Sequence, residues 1–154
     1  MELRDDRRGT RWRVEIAPFL LGRYPVTAGL HRAVTGTDLC PGASGASPVT
    51  TVSWLDAIDL CNQMSARSGL NPAYSRDAQS GEVSCDWTAN GYRLPTEAEE
   101  WCWDLYDEEV YGSNRIFRSG GWSESIRGRG ASVRRRSHPS FAIDDLGFRL
   151  ARSG

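Results

Sequence analysis

A chain of 154 residues, 39% hydrophobic and 25% charged, suits one compact domain; at this length folding buries roughly 70% of the unfolded surface. That balance excludes a disordered chain, and no apolar run approaches the roughly 20 residues that cross a bilayer. The net charge of −1 gives no global attraction to nucleic acid or acidic membranes, and all 19 basic residues are Arg, so no side-chain amine is present for Schiff-base chemistry.

From the N-terminus, residues 1–10 are polar and read as a flexible lead-in to a single domain over 11–152. They contain no apolar signal core, so a cytoplasmic setting with reduced thiols is expected. Trp12, Val14 and Ile16 alternate with polar residues as in a half-buried strand, and Phe19 to Tyr24 continues extended up to Pro25. Thr27 is a predicted N-cap for a short helix closed by Gly36, with Leu30, Ala33 and Val34 as its apolar face. Residues 37–50, rich in Gly, Ser, Pro and Ala, read as loop.

Ser53 caps the clearest predicted helix, in which Trp54, Ala57, Ile58, Cys61 and Met64 form one stripe and which Gly69 ends. Asn71-Pro72 opens a turn, and 74–87 has the pattern of a polar hairpin. A third short helix is expected from Pro95-Thr96 through Trp101. The C-terminal third is Gly-rich and strand-like: RIFRSGGW, then ASVRRR, then LGFRLA. Two to three helices among several short strands make the class α+β.

The four cysteines, Cys40, Cys61, Cys85 and Cys102, contain no CxxC pair, so their spacing predicts no zinc site. Cys61 falls on the apolar stripe and Cys102 between two tryptophans, as packing residues do. Cys40 and Cys85 fall in predicted loops, where a disulfide between them stays open. His31 and His138 are lone histidines and read as surface or packing residues rather than ligands.

Four blocks lie in one order: LLGRYPVT (20–27), PVTTVSWLDAIDLCNQMSARSGLNPAY (48–74), NGYRLPTEAEEW (90–101), and RIFRSGGW (115–122) followed by LGFRLA (146–151). Together they resemble the formylglycine-generating-enzyme, or sulfatase-modifying-factor, family over residues 19–151. The resemblance implies a variant of the C-type-lectin fold, with little regular secondary structure and two to three helices around short antiparallel strands. Within the third block, Asn90-Gly91 reads as a turn needing positive φ, and Arg93 with Glu97 as a buried ion pair. Trp101, Trp103 and Trp122 read as core.

Family members that make formylglycine oxidise a substrate cysteine with two copper-binding cysteines placed after a Gly-Gly-Ser-Trp-like turn. Here the turn reads Ser119-Gly120-Gly121-Trp122, and no cysteine follows Cys102. An ungapped match puts Glu124 and Arg129 near the missing pair. Soft Cu(I) is suited by thiolates, not by a carboxylate and a guanidinium, so no copper, and no other cofactor or metal, is expected. A family branch that holds iron with three histidines is not matched by a chain with two. The family also carries a calcium-binding segment after the EAE-W helix. Here Glu100-Trp101-Cys102-Trp103-Asp104 resembles both the end of that helix and a later Trp-Glu-Trp-Cys motif, as if the middle segment were deleted. The acidic run Asp104, Asp107, Glu108 and Glu109 reads as a solvated loop in preference to a cation site.

Residues 115–152 hold nine Arg against three acids, while 97–109 hold seven acids and no base. Mutual pairing or solvation of these patches is the plain reading. The sharper one is an anion or acidic-peptide site, because this region floors the substrate groove in the family. The resemblance extends to variable proteins of diversity-generating retroelements, which use the same fold and diversify the segment matching 123–136.

The expectation is therefore a recognition domain for a protein or peptide partner, or for an anionic small ligand. Its candidate site is Trp122, Ser123, Glu124, Ser125, Arg127, Arg129, Arg134 and Arg136. Neither membrane nor nucleic acid is an expected partner. The alternative is an enzyme of repurposed chemistry, with Glu124 as general base and Arg129 or Arg134 as electrophilic clamp.

Overall fold

Ten short strands and two helices are present among the residues described by the computed structural model: 2–5, 10–13, 18–96, 101–105, 112–118, 134–142, 144 and 146–153. Strands β1 (Glu2–Asp5) and β2 (Thr10–Arg13) pair antiparallel.

Helix α1 (Ala28–Thr35) has the expected ends. The Thr27 hydroxyl accepts from the Leu30 N–H at 3.2 Å, and Gly36 closes the helix in the left-handed region at φ 76°. Its buried face is Ala28, His31 and Val34, however, not Leu30, Ala33 and Val34. The N–H groups of Ala28 and Gly29 are tied to the carbonyls of Ser47 and Gly45, and that attachment turns the 28/31/34 stripe inward. His31 is a packing residue, with Nδ1 3.2 Å from the Thr37 carbonyl.

Helix α2 (Trp54–Arg67) starts with a capping box. The Ser53 hydroxyl accepts from the Asp56 N–H, and the Asp56 carboxylate accepts from the Ser53 N–H. Trp54, Ala57, Ile58, Leu60 and Cys61 are buried, with Met64 packed against them. At its far end Arg67 donates to the Ala33 and Val34 carbonyls, answering two orphan acceptors of α1 and locking the helices together.

Strands β3 (Phe19–Leu21), β10 (Ala151–Ser153) and β6 (Tyr92–Arg93) form one sheet in the order β3-β10-β6. The polar hairpin is β4 (Tyr74–Arg76) with β5 (Val83–Cys85). A second three-stranded sheet, β7-β8-β9, joins β7 (Trp101–Leu105), β8 (Arg115–Arg118) and β9 (Arg134–Ser137). Between the helices and sheets lies a core that includes Val26, Val49, Val52, Trp54, Leu94 and Phe148.

Two expectations in the third sequence block change. Gly91 is not at a positive φ; it is needed because a Cβ there would collide with the Asn71 carbonyl oxygen and the Ser65 hydroxyl. The third helix was expected to end at Trp101, but Trp101 opens β7; residues 97–100 lie outside the described residues. Among the described residues no helix is long and apolar enough to cross a membrane.

Candidate functional site

The Arg-rich region is organised by β8 and β9. Their antiparallel register pairs Arg115 with Ser137, Ile116 with Arg136, Phe117 with Arg135 and Arg118 with Arg134. Opposed residues share a face and successive residues alternate. One face therefore carries Arg115, Phe117, Arg135 and Ser137; the other carries Ile116, Arg118, Arg134 and Arg136.

The first face is turned to the core. Phe117 packs against the central cluster, and the Arg115 guanidinium carbon lies 4.2 Å from the ring centroid of buried Trp54. A guanidinium over an indole face gains both electrostatic attraction and packing. The chain after β9 is fastened to the same end of α2, because the Leu55 N–H donates to the Pro139 carbonyl at 3.2 Å. On the second face Ile116 is fully buried and Arg136 is exposed. Beyond β9, Phe141 is 64% exposed and stands edge-on to His138.

Of the sequence-derived site residues, Arg134 and Arg136 lie on β9. Trp122, Ser123, Glu124, Ser125, Arg127 and Arg129 lie outside the described residues. Arg118 was not singled out in the sequence, since only the strand register puts it opposite Arg134. Arg115 was missed for a similar reason: its contact with Trp54 spans 61 positions of chain and leaves no local pattern.

Arg93 is buried, with its guanidinium between the rings of Phe19 (5.6 Å) and Trp87 (5.4 Å) and donating to the Leu94 carbonyl. Its expected partner Glu97 is outside the described residues. Both rings come from outside the third block, so Arg93 ties that block to β3 and to the chain after β5.

Cys40, Cys61 and Cys85 are free thiols, so the disulfide left open between Cys40 and Cys85 is not formed. The Cys40 thiol donates to the Thr50 carbonyl. Burial pushes the Cys61 thiol far above its ordinary range, and burial pushes Cys85 up to about 11 against the opposing pull of Arg93. Among the described residues no group of three or more His, Cys, Asp or Glu is placed to hold a metal ion.

Comparison with known proteins bears on the fold. The family described as "Sulfatase-modifying factor enzyme 1-like domain" matches residues 1–100 and again 99–154. The chaperone protein LppX of Paenibacillus barcinonensis is 34% identical over 99 residues, 56% of this chain and 35% of that protein, so the chain spans about a third of this relative's length. Treponema denticola variable protein 1 superposes with a TM-score of 0.74 at 22% identity, covering 88% of this chain and 84% of the other. CarF superposes with a TM-score of 0.78 at 20% identity, covering 92% and 88%. At these identities the two structures share the fold with this chain.

Proposed function

This chain belongs to the sulfatase-modifying-factor family, with the family's C-type-lectin-like fold, and we propose that it is a non-catalytic recognition domain. The proposed binding surface is the region 122–136, centred on Trp122, Arg127, Arg129, Arg134 and Arg136, and its ligand is a protein or peptide. The observation that carries the reading is the cysteine chemistry. The scaffold motifs are present and no cysteine follows Cys102.

Three further points support it. A variable protein shares the fold at nearly full length. A relative of the matched part is named a chaperone, in keeping with a polypeptide ligand. The family match stops at residue 100 and resumes at 99, where the sequence reads as two motifs fused, which is what loss of a middle segment would leave.

Photo-crosslinking of the whole chain tests the proposal; amine chemistry is unsuitable because the chain has no Lys. Wild type is expected to capture a polypeptide that Trp122→Ala and Arg134→Ala no longer capture. Capture of nothing, together with turnover of a small molecule that Glu124→Gln abolishes, would replace this reading with the enzymatic one.

A further inference from the structure

We draw no further inference here: the strongest candidate, the outer edge of β3 with the exposed side chain of Leu20, carries none, because nothing in the structure shows what covers it.

Discussion

Ser65 is buried, and its hydroxyl serves two backbone groups at once. It donates to the Cys61 carbonyl one turn back at 2.8 Å and accepts from the Tyr92 N–H, also at 2.8 Å. The loop before β6 therefore rests on α2 through one oxygen, and Gly91 is the residue that lets it come so close. A Cβ at 91 would lie 2.6 Å from that hydroxyl and closer still to the Asn71 carbonyl. The second obstacle is backbone and cannot rotate away. Gly91→Ala is expected to destabilise the protein by about 2–3 kcal/mol in urea unfolding. Ser65→Ala leaves the Tyr92 N–H without its acceptor in a dry site and should cost about 2 kcal/mol. A loss below about 0.5 kcal/mol for either variant would show that the loop relaxes away from α2.

Cys85 gives a prediction in pH. Burial raises its thiol from the ordinary value of 9.0 to about 11 in the folded chain. A raised folded-state pKa means that stability is fully present below about pH 9, where both states are protonated. It is then lost as pH rises toward 11, because the unfolded chain releases its proton first. Cys61 and Tyr74 are raised by burial in the same direction, so the loss is shared. Unfolding free energies measured under reducing conditions between about pH 8 and about pH 11 should fall, and Cys85→Ala should fall less steeply. An identical slope in the variant would mean that Cys85 is solvated in the folded state.

At the scale of elements, the joints between them are made by side chains that imitate backbone. Asn62 on α2 donates to the Tyr74 carbonyl at 2.8 Å and accepts from the Tyr74 N–H at 3.1 Å, the two bonds that a neighbouring strand would make. Tyr74 in turn accepts from the Leu94 N–H at 2.7 Å. One asparagine thus holds the β4–β5 hairpin to the helix. Asn62→Leu keeps the volume but leaves two backbone groups unpaired, and should cost about 2–4 kcal/mol. A crystal structure of the variant with β4 unmoved and no lost stability would refute this assignment.

Such joints also explain what was legible in the sequence. Both helices were readable with their caps, because Thr27, Gly36 and Ser53 act through bonds only a few residues long. The polar hairpin was readable from local alternation and turn residues. The inward face of α1 was misread, because contacts with residues 45–47, remote from the helix in sequence, set its rotation. Gly91 was recognised as special but for the wrong reason: turn chemistry is local, whereas the obstruction comes from Asn71 and Ser65. The alternation of Arg134, Arg135 and Arg136 is a property of a single strand, but the opposition of Arg118 to Arg134 needs the register of two strands separated by 15 residues of chain.

At the scale of the whole molecule, the Arg-bearing sheet is attached to the helical core at the first turn of α2. Arg115 reaches the Trp54 ring, and the Leu55 N–H reaches the Pro139 carbonyl; the two contacts grip β8 and the chain just after β9. Trp54 also belongs to the core, so this attachment transmits the rigidity of α2 to the proposed binding face. Weakening it should free the sheet before it unfolds the core, because proteins open in contiguous units of unequal stability. A cation over an aromatic face in a dry site contributes about 2 kcal/mol. Arg115→Gln is therefore expected to speed amide exchange in Ile116, Phe117 and Ser137 by about tenfold or more, with Leu60 and Cys61 in the middle of α2 nearly unchanged. Hydrogen exchange read by mass spectrometry or NMR separates the two segments. A uniform rise across β8 and α2 would mean that the sheet and the core open as one unit, and that Arg115 stabilises the whole fold rather than positioning the sheet.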